Sequence, residues 1–174
     1  MHSAALLRTV SDVIIRIVSE DVLTSDERSA CWALFPREWG SIPGNDKVRA
    51  WTQQQPGWRV LARDAETGEI VGQAGLVEVT ADGVIGISDV AVSENHRLCG
   101  AATLMLTAAV RHAEERGVPV MVDTGNTGLR RVLGRLGFVS TVDEAVLVTE
   151  HGHVTMPNWM HRGTLHGAIL RMNF

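Results

Sequence analysis

The sequence predicts an α/β (α+β) fold: a mixed, mostly antiparallel central sheet of about six to seven strands with helices on both faces. Three observations carry that prediction. Four β-rich segments precede residue 93 and are separated by turn signals, which implies antiparallel neighbours. A strand–helix–strand order over residues 84–123 implies one parallel pair with a right-handed crossover. Leu129, Val132, Leu133 and Leu136 then recur at helical spacing and give a helix with one apolar face.

In chain order, Val13–Val18 (VIIRIV) is rich in β-branched residues and reads as the first strand. Ser25, as N-cap, opens a helix through Phe35 that Pro36 ends. Glu38–Asn45 holds Gly40, Pro43 and Gly44 and reads as loop, and Asp46–Gln55 as a short helix stopped by Pro56-Gly57. Trp58–Asp64 alternates with a period of two, Glu66–Glu69 is a hairpin turn, and Ile70–Thr80 is the returning strand. Asp82-Gly83 marks a further hairpin before the strand Val84–Val92. Ala101–Arg116 is rich in helix formers, and Gly117 suits the left-handed position after it. Val118–Asp123 is a short apolar strand, and Asn126–Leu136 a helix closed by Gly137-Phe138. Ala145–Thr149 and Thr164–Met172 are the last expected strands, across a connection containing His and Pro.

At 174 residues, 45% hydrophobic and 21% charged, the chain suits a single domain spanning 1–174. A net charge of −4 lacks the basic excess that neutralises phosphate backbones, so nucleic acid is not an expected partner. Cys31 and Cys99 are too few for a disulfide framework, which favours a reducing compartment. Residues 1–20 are interrupted by Arg8, Asp12 and Arg16 and do not read as a signal peptide, and no apolar run of about 18 residues can span a membrane. The expected location is cytoplasmic, without a membrane partner; a homodimer is left open. Seven His residues form no metal-ligand pattern, so no metal is expected. The absence of Tyr removes every mechanism that needs a phenol.

The chemically informative segment is Arg97-Leu98-Cys99-Gly100-Ala101-Ala102, between the end of a strand and the first turn of a helix. The first N–H groups of a helix have no intrahelical partner, and the macrodipole makes that end positive. Gly100 permits close backbone approach, small Ala101 and Ala102 leave the amides uncovered, and Arg97 adds a charge-assisted contact. A diphosphate is the natural guest. No Gly-Lys-Ser/Thr follows, so this is not a Walker loop.

The R-x-x-G-x-A loop after a Val-Ala-Val strand resembles the acyl-CoA pyrophosphate loop of the GNAT (Gcn5-related) N-acetyltransferases. Downstream, Asn126-x-x-Leu129-x-x-Val132-Leu133-x-x-Leu136-Gly137-Phe138 resembles the family's N-x-x-A-x-x-L-Y-x-x-L-G-F helix. The likeness covers residues 58–138. It implies an acyltransferase that uses acetyl-CoA as co-substrate and a small-molecule amine as acceptor. It also implies that Val90, Ala91 and Val92 pair by backbone with the pantetheine arm. Arg97 to Ala102 would then hold the diphosphate, and Asn126 would touch the cofactor or cap its helix.

Transfer to an amine needs a neutral nitrogen, whereas a free primary amine, with a pKa of about 8–10, is mostly ammonium at pH 7. The resemblance makes Asp89 the first choice as base or amine anchor and Glu78, on the preceding strand, the second. Ser88 would orient a water, and the N–H of Val90 or Val92 would meet the oxyanion. Where many members carry Tyr, this chain has Leu133, so water, the product ammonium or Cys99 is left to protonate the thiolate. Trp32, with Trp39 and Trp51, is a candidate wall of the acceptor pocket, and His161 and Arg162 candidates for recognising an acidic group on the acceptor. The stretch Asn158–Leu165 is weakly similar to nodulation N-acyltransferases and aminoglycoside 2′-N-acetyltransferases. Alternative readings are a longer-chain or carrier-dependent N-acyltransferase and a non-catalytic acyl-CoA-binding module.

Overall fold

The chain lays down β1 (Val13–Ser19), α1 (Ser25–Ala33), β2 (Trp58–Asp64), β3 (Ile70–Glu78), β4 (Ile85–Val92) and α2 (Ala101–Glu115). β5 (Val120–Asp123), α3 (Thr127–Arg135), β6 (Val139–Ser140), β7 (Ala145–Thr149), β8 (Gly152–Met156) and β9 (Trp159–Arg162) follow. The computed structural model describes residues 12–35, 57–78, 83–140, 145–149, 152–156 and 158–163. The expected helix Asp46–Gln55, Trp39, Trp51, Asp82 and the expected strand Thr164–Met172 lie outside the described residues.

Among the described residues, seven strands form one sheet in the order β1-β2-β3-β4-β5-β9-β6, and β7 and β8 form a separate pair. β1 to β4 are successive antiparallel neighbours, β4 and β5 are parallel, and β9 runs antiparallel to both β5 and β6. The expected meander followed by a crossover is the observed topology.

Two local expectations are corrected. The N-cap of α1 is Thr24 rather than Ser25: Thr24 Oγ1 accepts from the Glu27 amide at 3.2 Å while Glu27 Oε2 accepts from the Thr24 amide at 2.9 Å. That reciprocal pairing needs a Glu three residues on, which selects Thr24. The His- and Pro-containing stretch read as a connection holds β8 and β9, and β9 occupies the sheet position between β5 and β6.

The main core lies between the sheet and α2. Val60, Ala62, Ala74, Leu76, Ile85 and Ile87 meet Met105, Leu106, Ala109, Val110 and Ala113, with Leu133 of α3 at its end. On the opposite face Leu23, Cys31 and Leu61 pack together beside α1. Helices therefore cover both faces. Among the described residues no helix is long and apolar enough to cross a membrane.

Candidate active site

The parallel pair β4–β5 is short. Ile85 pairs with Val120 and Gly86 with Met121, and beyond that point β4 runs on through Val92 with no partner in β5. The two strands splay there, and the β4 edge left without a β5 partner carries Ser88, Asp89, Val90, Ala91 and Val92. Backbone donors and acceptors along such an edge suit the addition of an extended, amide-bearing ligand.

The β4 edge is also bent. Gly75 of β3 pairs with Ser88 and Gln73 with Ala91, so Ala74 alone faces both Asp89 and Val90. This is a β-bulge, and Asp89 absorbs it at a left-handed φ of 52°. Asp is among the few residues that tolerate this region. Ile85 and Ile87 point into the core beneath α2. Gly86 and Ser88 consequently face the α1 side, by the alternation of a strand. Ser88 is buried there, and among the described residues its Oγ has no hydrogen-bond partner. Across the splay on the same face stand Met121 and Asp123 of β5, with His161 and Trp159 of β9 paired beside them. Trp159 is buried, its Nε1 likewise has no partner among the described residues, and its ring stacks on His161 at 5.1 Å. Burial pushes the Asp123 carboxyl above its ordinary range, although Asp123 Oδ1 accepts from the Asn158 amide at 3.1 Å.

After Val92 the chain turns through a short 3₁₀ segment, Glu94–His96, and enters α2. That turn is pinned from below by His96, which is buried. His96 Nε2 lies 3.2 Å from Asp64 Oδ2, and a carboxylate only accepts, so the ring N–H donates to it. Ser93 Oγ meets His96 Nδ1 at 2.8 Å, and Cys99 Sγ donates to the His96 carbonyl at 2.7 Å. Asp64 Oδ1 also accepts from the Glu66 and Thr67 amides, each at 2.9 Å. The Thr67 amide foremost, then His96, hold the Asp64 carboxyl well below the usual carboxylate range.

Gly100 is the N-cap of α2 at φ 88°, a conformation that costs an L-residue about 1–2 kcal/mol. The first turn that follows carries no acidic residue, Ala101 is buried and Ala102 half-buried. Arg97 is exposed; its Nε donates to the Val92 carbonyl at 3.4 Å, and its Nη1 lies 3.7 Å from Glu94. Leu98, at φ 65°, stands fully in solvent. A glycine junction, the first-turn amides of a helix with no acidic residue there, and an exposed guanidinium thus lie together at the end of β4, an arrangement whose positive end is suited to anions.

The other candidates are scattered. Glu78 ends β3 opposite Ile85, at the closed end of the β4–β5 pair, and its carboxylate is paired with Arg116 at 2.5 Å. It is not brought together with Asp89. Asn126 caps α3, its Oδ1 accepting from the Leu129 amide at 2.9 Å. Trp32 is on the exposed side of α1, its ring 5.6 Å from Phe35. His161 and Arg162 occupy opposite faces of β9, since His161 pairs with Met121 and Arg162 with core-facing Val120. Arg162 is engaged on that second face, donating to the Leu136 carbonyl at 3.0 Å and to Glu114 at 2.5 Å. The two therefore do not act as a pair toward one acceptor. Asp64, His96, Gln73 and Asp123 were not candidates in the sequence. Only Gln73 carried a signal: it is the one polar side chain within Ile70–Val77.

The acetyltransferase (GNAT) family model matches residues 25–138, which contain the bulge, the splay, the turn and α3. No curated protein matches the chain. Among solved structures, an acyl-CoA N-acyltransferase from Pseudomonas aeruginosa is similar at 21% identity and TM-score 0.62, covering 87% of this chain and 99% of that one. A GCN5-related N-acetyltransferase from Kribbella flavida is similar at 19% identity and TM-score 0.59, covering 86% and 98%. A GNAT family N-acetyltransferase from Escherichia coli in complex with CoA is similar at 14% identity and TM-score 0.59, covering 92% and 86%. With the family model spanning most of the chain, and with a splayed parallel pair leading into a glycine-capped helix, the protein belongs to the GNAT family and is an acyltransferase that draws on an acyl-CoA donor.

Proposed function

We propose that the protein transfers an acetyl group from acetyl-CoA to the primary amine of a small molecule, such as an amino sugar or an amino-acid-like compound. Residues 1–174 act as one catalytic domain, in the cytoplasm, by direct attack within a ternary complex. The observation that carries this reading is the splay of β4 from β5 beyond Gly86, running straight into the turn Arg97–Ala102. A pantetheine arm pairs along Val90–Val92, the diphosphate rests on the amides of Gly100 to Ala102 with Arg97 beside it, and the thioester lies against the bulge. Asn126 serves this site by starting α3.

In the reaction, Asp89 takes the ammonium proton, directly or through a water. The neutral nitrogen attacks the thioester carbonyl and the C–N bond forms as the oxygen gains negative charge. The Val90 N–H stabilises that oxyanion. The C–S bond then breaks, the nitrogen passes its remaining extra proton to a water as that water gives one to the departing thiolate, and Asp89 returns its proton to solvent. Leu133 is buried in the core and supplies none. A thiolate whose acid has a pKa of about 8.5 leaves without dedicated protonation. Ser88 and His161, facing the α1 side, border the acceptor.

Free-thiol release from acetyl-CoA across amino sugars, amino acids and a peptide tests this reading. Asp89→Asn is expected to lower turnover by about a hundredfold or more. Its CoA affinity by calorimetry should be unchanged. CoA binding without thiol release from any amine would point instead to a non-catalytic acyl-CoA module. Release only with long-chain donors would point to a different acyl specificity.

A further inference from the structure

The left-handed backbone at Asp89 is held by a chain of buried polar groups that enters from β1's end of the sheet. Gln73 of β3 is fully buried; its Nε2 donates to the Asp89 carbonyl at 2.5 Å and its Oε1 accepts from Arg59 Nη1. Arg59 Nε and Nη2 donate to the two carboxylate oxygens of Glu20 at 2.8 and 3.2 Å. Arg28 of α1 donates to the same carboxylate at 2.8 Å and to the Glu20 carbonyl at 2.5 Å. Arg59 is 9% exposed and Glu20 8%, so both charges are withdrawn from water.

This arrangement has one orientation. A guanidinium only donates, so Gln73 must turn its carbonyl to Arg59 and its NH₂ to Asp89. Breaking such a chain leaves a buried charge or amide uncompensated, whereas apolar side chains would fill the space at less cost. Stability alone is thus a weak reason for its presence, and geometry offers a better one. A trans peptide carries its C=O and the following N–H in opposite directions, and the described chain has no cis peptide. Drawing the Asp89 carbonyl toward Gln73 on β3 therefore turns the Val90 N–H away from β3. β5 and the splay lie on that other side of β4.

We propose that Gln73, locked by the Arg59–Glu20 pair, is a positioning residue that aims the Val90 N–H into the splay, at the oxygen of the thioester carbonyl. This rests on reading the splay as the acyl-CoA channel. Gln73 touches neither substrate and acts only through the Asp89–Val90 peptide. Arg59 and Glu20 fix Gln73, and Arg28 ties the assembly to α1.

Gln73→Glu retains the size and the acceptor for Arg59 but removes the donor to Asp89, while Gln73→Met removes both ends. In each, kcat for thiol release should fall on the order of a hundredfold. KM for acetyl-CoA and the calorimetric CoA affinity should stay within about twofold of wild type. Backbone carbon chemical shifts of Asp89 should leave the left-handed range. Should Gln73→Met not fold, the nearly isosteric Gln73→Glu carries the test. A folded Gln73→Glu protein with wild-type kcat, or with Asp89 shifts unchanged, overturns the proposal. If wild-type protein releases no thiol with any amine, it is the acyl-transfer reading that fails, and the Asp89 shifts still decide what Gln73 holds.

Discussion

Leu133 sits in the main core with Phe138 and Met160 and is inaccessible to solvent. Its side chain fills core volume, so its loss should register as stability. Leu133→Ala should lower the free energy of unfolding by about 2–5 kcal/mol, read by urea denaturation. A change below about 1 kcal/mol would mean that the site collapses around the smaller side chain and that Leu133 is not a packing residue. At this scale the sequence was legible where helix starts impose a local pattern: Gly100 before α2 and Asn126 before α3 were readable because a left-handed junction and a side-chain cap need particular residues. Asp89 was readable as a carboxylate but not as a left-handed residue, since the bulge arises from the registers of β3 and β4 together. The polarity of Gln73 inside an apolar strand was visible, but its partners come from β2 and β4, and the carboxylate that fixes Arg59 from the turn after β1, which no local spacing encodes.

Among the elements, the turn between β4 and α2 depends most on a remote anchor. Asp64 ends β2, yet its carboxylate gathers two amides of its own turn and the ring of His96 from the turn after β4. Its folded-state pKa is depressed relative to the unfolded value of about 3.9. The stabilisation is consequently present in full above that value and fades as the pH falls through the acid range. Asp64→Asn should be less stable than wild type at pH 7, and the gap in denaturant midpoint should narrow as the pH is lowered past about 4. A gap of equal size at pH 7 and pH 3 would sink the assignment. The strand β9 was not legible for a related reason: it is only four residues long, and its place between β5 and β6 is fixed by edges that become available once α3 has returned the chain.

At the scale of the whole molecule, the meander, the crossover and the splay form one sheet that is fully paired through β1–β4 and joined only briefly between β4 and β5. Only two registered pairs hold the parallel strands together. The β4 edge beyond them carries peptide groups that a ligand can satisfy, and in the proposed reading the start of α2 takes the paired phosphates. A ligand that binds both should act as a missing strand, joining the two halves of the sheet and favouring the folded state by mass action. CoA at a hundredfold excess over its Kd is therefore expected to add about 2.7 kcal/mol to folding stability. For a chain of this length that corresponds to about 2–4 °C in Tm for each kcal/mol. Pantetheine offers the same amides without the diphosphate, so at equal concentration it should give a much smaller rise, and inorganic pyrophosphate a partial one. Equal stabilisation by CoA and pantetheine in a thermal melt would mean that the turn Arg97–Ala102 contributes nothing to binding, and the splay alone would then have to account for affinity.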